Sequence, residues 1–599
     1  MRILLTAINA KYIHSNLAVY SLRAYAIQQR HEYRGCVEIA EYTINQQVDE
    51  ILMNLYALHP DVLCFSCYLW NIVYVEQLVK ELGKILPDTE IWLGGPEVSH
   101  HAQNVLERLP QVRGVMCGEG EETFLELADH YNGKGKPLQE IDGIVYACSE
   151  NIFVNPPRKG MDLNRVPFVY APDLSAFSGV SDPAFSESRE AMPQEGEMHF
   201  PAEDPMECFR NKILYYESSR GCPFSCSYCL SSIDKCLRFR NLDTVKKELQ
   251  FFIDREVPQV KFVDRTFNCR HDHAFAIWSY LAEHDRGKTN FHFEVAADLL
   301  NEEQLELITS MRPRLIQLEI GVQSTNQNTL REIRRTMDFE KVGAAVRRIR
   351  SRGNIHQHLD LIAGLPFEDL KSFQKSFNDV YALHPEQLQL GFLKVLKGSY
   401  MEERAEGYEL LYQDRPPFEV LSTKWLSYED VIRLKGIEEM LEVYCNSGQF
   451  IHTMKLLEKA FPDAFTMYDR LSVYYDNRRL RGISHSRIRR YEILLDFAAE
   501  WDSTHKEEYR ELLTYDLYLR ENVKNRPAFA GEPRVTKEEE AAFYEREASE
   551  RRYLQGYDQY DKRQLRKMTH LERVDHGLFL FDYRNRNRLT NQAAVHQIQ

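Results

Sequence analysis

Three cysteines fall within eight residues of a 599-residue chain, in Gly221-Cys222-Pro223-Phe224-Ser225-Cys226-Ser227-Tyr228-Cys229. A structural zinc site closes with four protein ligands, usually as two CxxC pairs, whereas CxxxCxxC supplies three soft thiolates that wrap one corner of an iron-sulfur cluster. An iron left without a protein ligand can bind a small molecule directly. The competing reading of the same residues is a zinc site completed by Cys208, Cys236 or Cys269. The other six cysteines (36, 64, 67, 117, 148 and 445) are scattered, and twelve in all is too sparse for a disulfide scaffold. No stretch approaches the roughly 18 apolar residues of a membrane span, and the N-terminus turns polar within a few residues, so the reading is a cytoplasmic protein with reduced thiols and no membrane partner.

The elements that must hold this loop are legible around it. A strand-like run, Ile213-Leu214-Tyr215-Tyr216, leads into the loop, and further runs follow at Val260 to Val263, Phe291 to Val295, Leu315 to Val322, His356 to Ile362 and Gln387 to Val395, with helical stretches between them. Six parallel strands over residues 213–398 predict a partial (β/α)6 barrel with its active site where the strands end. Residues 1–140 alternate in the same way and predict a Rossmann-like parallel sheet covered by helices, which places ligands at the carboxyl ends of its strands. Residues 141–212 read as a linker with an acidic insertion, nine acids against Arg189 from Asp173 to Glu207, and residues 399–599 as a mainly helical domain. The fold class is therefore α/β, in three parts. Hydrophobic residues at 43% and charged residues at 28% exclude a disordered chain, and a net charge of −15 excludes a globally basic nucleic-acid binder.

The loop resembles that of the radical S-adenosylmethionine superfamily, CxxxCx(aromatic)C, with Tyr228 in the aromatic place. The resemblance implies that Cys222, Cys226 and Cys229 hold a 4Fe-4S cluster, and that S-adenosylmethionine chelates the open iron and yields a 5′-deoxyadenosyl radical after one-electron reduction. An external reductant such as flavodoxin or ferredoxin is then implied. By the same resemblance Asp264, Arg265 and Thr266 meet the methionyl end, Glu294, Glu319, Gln323 and Ser324 contact the ribose and methionyl groups, and His358 to Pro366 packs near adenine. Relatives often carry an arginine where this chain has Ala296-Ala297-Asp298, which leaves Arg265 or Arg334 to meet the methionyl carboxylate.

The N-terminal part resembles the cobalamin-binding domain of the B12-dependent branch of that superfamily, through Tyr12, Ser66-Cys67-Tyr68-Leu69-Trp70-Asn71, Gly94-Gly95-Pro96-Glu97-Val98 and Gly118-Glu119-Gly120-Glu121. Gly94 and Gly95 are expected to admit the nucleotide tail, and Ser66, Tyr68 and Trp70 to line the corrin face. The DxHxxG motif that gives cobalt a histidine elsewhere is missing, and His14 is a poor substitute. Dinucleotide binding requires GxGxxG after the first strand, and Thr6-Ala7-Ile8-Asn9-Ala10 contains no glycine.

The combination implies a cobalamin-dependent radical S-adenosylmethionine enzyme that methylates an unactivated carbon, acting on a substrate the sequence does not name. Alternatives are a non-methylating rearrangement, ring change or oxidation with the same cofactors, and, from another class, a zinc-stabilised RNA-binding protein. From Arg551 to Arg588 ten bases face five acids with aromatics interleaved, which suits RNA, although a solvated helical face ahead of a packed hairpin-like end accounts for it more simply. No side chain is assigned as an acid or base catalyst.

Overall fold

A computed structural model describes residues 1–171, 206, 209–575 and 577–598. The acidic segment singled out above, Asp173 to Glu207, lies almost wholly outside the described residues. The chain divides into two compact units, residues 1–300 with 331–336 and 392–424, and residues 301–330 with 337–391 and 425–599.

The first unit opens on strands β1 (Ile3–Asn9), β2 (Val37–Thr43), β3 (Val62–Ser66), β4 (Glu90–Gly94), β5 (Val112–Met116), β6 (Ile144–Cys148) and β7 (Asn151–Val154), in the order β2-β1-β3-β4-β5-β6-β7. The first five are parallel, and β6 and β7 add antiparallel, so the sheet continues past residue 140. Every residue of β1 is buried, as a central parallel strand covered on both faces requires. Side chains alternate between two cores. Leu4, Leu63 and Ile91 pack under the helix Ile72–Ile85 on one face of the sheet, while Ile3, Leu5 and Trp92 pack under the helices Leu17–Gln29 and Glu121–Tyr131 on the other.

The same unit carries the start of the second parallel sheet, β8 (Leu214–Tyr216), β11 (Gln259–Phe262) and β12 (Asn290–Val295), with β11 parallel to both neighbours. Between β8 and β11, two short antiparallel strands, β9 (Ser219–Arg220) and β10 (Arg238–Phe239), pair Arg220 with Arg238 and close residues 221–237 into one loop. The three clustered cysteines sit on that loop.

The second unit holds three further strands. These are β13 (Ile316–Gln323) and β14 (His356–Ala363), which are parallel with a bulge between Gly321 and Gln323, and β15 (Gln387–Phe392) beside β14. Helices then dominate, including Tyr428–Leu441, Ala464–Asn477, Arg487–Trp501 and Lys506–Arg520. Ser427 caps the first of them, and its partner Asp430 reaches back to the Ser427 backbone. After a short antiparallel pair in the first unit, β16 (Leu411–Tyr412) and β17 (Val420–Ser422), the chain ends in an antiparallel sheet, β18 (Thr569–Val574), β19 (Gly577–Arg586) and β20 (Ala593–Ile598), which the helical reading of residues 399–599 did not resolve beyond a hairpin-like end.

Candidate active site

The cysteine loop is built by glycine and then clamped. Gly221 adopts φ +94°, and a Cβ there would lie 2.6 Å from the Cys236 carbonyl oxygen, so only glycine lets the two ends of the loop approach. The Cys222 amide donates to the Asp234 carbonyl (3.1 Å), and Lys235 Nζ donates to the Phe224 carbonyl (2.7 Å). The Ser227 amide donates to the Ile333 carbonyl (2.9 Å), which ties the loop to residues 331–336. Cys222 and Cys226 are buried and Cys229 half-buried. Burial pushes the Cys222 thiol up, reinforced by Cys229 and Cys226 and opposed by hydrogen bonds that include Thr266. The Cys222 sulfur lies 4.0 Å from Thr266 Oγ1.

Among the described residues no three His, Cys, Asp or Glu side chains converge on one metal ion. A zinc site completed by Cys236 or Cys269 is therefore not assembled, and Cys236 is exposed; Cys208 lies outside the described residues. The three thiols share the one short loop closed by β9 and β10.

Arg335, which the sequence reading passed over, belongs to this loop. Its Nη1 donates to Tyr228 Oη (3.3 Å) and to the Cys226 sulfur (3.7 Å). Arg334, named as a substitute for the missing methionyl partner, instead stacks on Tyr400 with its guanidinium carbon 3.9 Å from the ring centre. Only their neighbourhood to a helix end marks either arginine in the sequence; nothing there distinguishes one from the other.

Asp264 is 1% exposed and turns its carboxylate into the loop base, where Oδ1 accepts from Ser218 Oγ and Ser219 Oγ (both 2.6 Å) and Oδ2 accepts from the Ser218 amide (3.0 Å). Burial raises its pKa to about 6 against those hydrogen bonds. Arg265 and Glu294, by contrast, line a cavity of about 930 Å³, and Lys261 lies 3.8 Å from Glu294. Glu319, Gln323 and Ser324 belong to the second unit. There Gln323 sits at φ +73° beside the bulge with its Oε1 buried and unpartnered, and Ser324 Oγ donates to Glu368 Oε1 (2.7 Å).

The 930 Å³ cavity lies within the first unit, where the carboxyl ends of β1, β3 and β4 meet the carboxyl ends of β8, β11 and β12. Ser66, Tyr68, Trp70, Gly94, Gly95, Gly118, Glu119, Gly120 and Glu121 line one side, and Tyr215, Tyr216, Arg265, Glu294 and Gly221 another. Tyr68 and Trp70 stack with ring centres 4.5 Å apart and planes 6° apart, and Trp70 Nε1 donates to the Ile8 carbonyl (3.1 Å). Gly95 has φ +110°, and a Cβ there would stand 2.5 Å from the Cys67 carbonyl oxygen, so the turn after β4 closes only with glycine. Tyr12 is 62% exposed and, like Asn71, Glu97 and Val98, is not part of the lining. Asn71 is wholly buried and braces its turn, donating to the Ser66 carbonyl (2.8 Å) and accepting from the Tyr68 amide (2.8 Å). Glu97 is held by Lys397 at 2.5 Å, and Val98 joins the core.

Glu119 and Glu121 do more than line the wall. Arg220, one residue before the cysteine loop, meets Glu121 Oε1 (2.8 Å), Glu119 Oε2 (3.2 Å) and Glu217 (2.8 Å), and Arg238 meets Glu119 (2.5 Å). The turn after β5 thus grips both strands that close the loop.

A doubly wound domain whose ligand edge faces the start of a parallel core with a three-thiol loop defines a two-cofactor class. Residues 3–128 match the B12 binding domain family, residues 216–380 the radical SAM superfamily, and residues 406–595 a family described as a protein of unknown function (DUF4080). The chain therefore carries a B12-binding domain and a radical S-adenosylmethionine domain in one polypeptide. It is 26% identical over 460 residues to the cobalamin-dependent radical SAM methyltransferase TokK of Streptomyces tokunonensis, covering 74% of this chain, and 24% identical over 448 residues to 2-(S-pantetheinyl)-carbapenam-3-carboxylate methyltransferase of Streptantibioticus cattleyicolor, covering 70%. The match spans 62% of the length of each relative. In fold it resembles the cobalamin-dependent S-adenosylmethionine radical enzyme OxsB, solved with aqua-cobalamin and S-adenosylmethionine, at TM-score 0.56 and 16% identity over 86% of this chain and 80% of that one.

Proposed function

We propose that the protein is a cobalamin-dependent radical S-adenosylmethionine enzyme that methylates an unactivated carbon of its substrate. The observation that carries this reading is the shared cavity, with the ligand edge of the B12-type sheet on one side and the start of the barrel on the other. When bound, the cluster and S-adenosylmethionine supply hydrogen abstraction from carbon and cobalamin supplies a transferable methyl group, chemistry beyond any side chain.

The chain's own residues hold, orient and dry the site. Cys222, Cys226 and Cys229 take three irons, and Arg335 fixes Tyr228 and the Cys226 sulfur. Arg265 presents a cation to the methionyl carboxylate and Glu294 an acceptor to a hydroxyl or amino group, both from the cavity wall. Gln323, held at φ +73°, offers a buried amide oxygen at the end of its strand. Asp264 acts as a brace, because its oxygens are taken up by Ser218 and Ser219. The flat Tyr68 and Trp70 pair gives a corrin an apolar floor, and Gly94 and Gly95 admit its tail beside the backbone. Phe168, Tyr170, Tyr215 and Tyr216 extend the aromatic lining, which excludes water from a radical. An external one-electron donor and a substrate complete the reaction.

The test is anaerobic turnover of the full chain with cobalamin, S-adenosylmethionine, a one-electron reductant and a metabolite extract. Methylation requires S-adenosylhomocysteine and 5′-deoxyadenosine to form together. 5′-Deoxyadenosine alone would support the rearrangement or oxidation reading and remove the methyl transfer.

A further inference from the structure

The C-terminal region, which matches a family of unknown function, carries a second cavity of about 570 Å³ far from any cysteine motif in sequence. It is lined by His452, Tyr515, Arg586, Asn587, Gln592 and Val595 among others, all within the second unit, and no carboxylate is part of the lining. His452 is oriented from behind: its Nδ1 lies 2.7 Å from Asp516 Oδ1, and Asp516, 1% exposed, also accepts from the His452 amide (3.2 Å), the Thr453 amide (2.9 Å) and Thr453 Oγ1 (2.8 Å). That arrangement puts the Nδ1 proton toward Asp516 and leaves Nε2 for a ligand, to which it accepts as a neutral imidazole and donates in the doubly protonated form that a bound anion favours.

Arg586 Nη1 donates to the Arg520 carbonyl (3.1 Å) and the Asn591 carbonyl (2.7 Å), which fixes the guanidinium through neutral acceptors. Among the described residues neither Arg586 nor Arg520 has a carboxylate within ion-pair distance. Burial pushes the Arg520 pKa down, and Arg586 and Arg487 push it the same way. Asn587 accepts from the Leu589 and Thr590 amides (2.8 and 3.0 Å) and so points its oxygen into its own turn, which leaves its amide nitrogen to donate elsewhere. The lining thus gathers hydrogen-bond donors and the Arg586 guanidinium with no carboxylate among the lining residues, Asp516 standing behind His452, in a chain whose overall charge is −15. Such a set is stabilised by an anion rich in acceptors.

We propose that this cleft binds the phosphate group of a small phosphorylated molecule, with His452, Arg586 and Asn587 as donors and Tyr515 and Val595 against the remainder of the ligand. A phosphate offers acceptors in several directions, matching donors that come from a helix and from the β19–β20 turn. The cavity has the size of a small-molecule site, and the acidic chain disfavours a polyanion.

The experiment is titration of the full chain with inorganic phosphate at low ionic strength, read by calorimetry and by 31P line broadening. Saturable one-to-one binding is expected, weakened about ten- to hundredfold by Arg586→Gln and by His452→Gln, and unchanged by Arg588→Gln, an exposed arginine outside the lining. Far-UV melting curves establish that each variant is folded, and Arg586→Lys retains the charge if Arg586→Gln does not fold. Phosphate that fails to saturate, affinity untouched by His452→Gln and Arg586→Gln, acetate that binds as tightly as phosphate, or an RNA oligonucleotide that binds there without competition from phosphate would each overturn the proposal. Iron and corrin content are separate readouts, so failure here leaves the two-cofactor reading standing.

Discussion

Arg220→Ala strikes the junction between the B12-type sheet and the cysteine loop. Arg220 Nε and Nη2 donate to Glu217 (2.9 and 2.8 Å), Nη2 also to Glu121 (2.8 Å), and Nη1 lies 3.2 Å from Glu119. Truncation leaves Glu119 with Arg238 (2.5 Å) and the Met161 amide (3.0 Å), but leaves the carboxylate of Glu121, 4% exposed, with only Ser21 Oγ (3.1 Å) among the described residues. Removing one partner of a buried ion pair costs about 3–5 kcal/mol, because the other charge stays behind. Chemical unfolding of the full chain, followed by tryptophan fluorescence, should show a loss of that order, and anaerobic reconstitution should yield less iron per chain. Arg220→Met combined with Glu121→Gln removes both charges and should recover most of the loss, whereas a simple loss of packing would not be recovered. A loss under about 1 kcal/mol for Arg220→Ala, or a double variant worse than the single one, would refute the clasp.

Other outcomes follow from individual groups. Glu368, 1% exposed, has its carboxyl raised to about 7 from 4.5 by burial, against hydrogen bonds from Ser324 and Ser376. Its fold therefore favours the protonated form, so its contribution is fully present below pH 4.5 and is lost as pH rises through 7, on the order of 3 kcal/mol. Glu368→Gln should flatten that part of a stability-versus-pH curve, and an unchanged slope would contradict the assignment. Gly95→Ala forces a Cβ onto the Cys67 carbonyl at φ +110° and should cost about 2 kcal/mol or more of stability with a loss of corrin affinity, measured by absorbance titration. Cys222→Ala should abolish iron retention while leaving corrin binding within about twofold, because the two cofactors draw on different strands.

The cysteine loop and the alternating strands were legible because their signals are local. Spacing alone marks CxxxCxxC, and the apolar runs alternating with helical stretches over residues 1–140 mark the parallel sheet, in which all seven residues of β1 prove buried. Long-range pairings were not legible. Arg335 meets Cys226 across 109 residues, and Asp264 meets Ser218 across 46, so neither the arginine's place at the loop nor the hydrogen bonds that hold the Asp264 carboxylate could be read from spacing. Likewise Glu97 and Val98 follow Gly94-Gly95 in sequence, but the short helix Pro96–Ser99 turns them inward, one to Lys397 and the other to the core. Glu119 and Glu121 sit in the cavity wall as well as in the Arg220 clasp, a dual use that no motif encodes. The terminal sheet was half visible, since Gly577 to Tyr583 reads as a hairpin strand while its partners Thr569–Val574 and Ala593–Ile598 carry mixed polar patterns.

The central claim is that one chain brings a cluster-bound S-adenosylmethionine and a corrin to the same cavity. Electron paramagnetic resonance of the anaerobically reconstituted full chain, carrying cob(II)alamin, tests it most directly, with iron and cobalt counted on the same sample. About four irons and one cobalt per chain, and a cob(II)alamin signal that changes on addition of S-adenosylmethionine in the native chain but not in Cys222→Ala, is the predicted result. A chain that retains no corrin, or one whose cobalt signal ignores S-adenosylmethionine while iron is fully loaded, would contradict it.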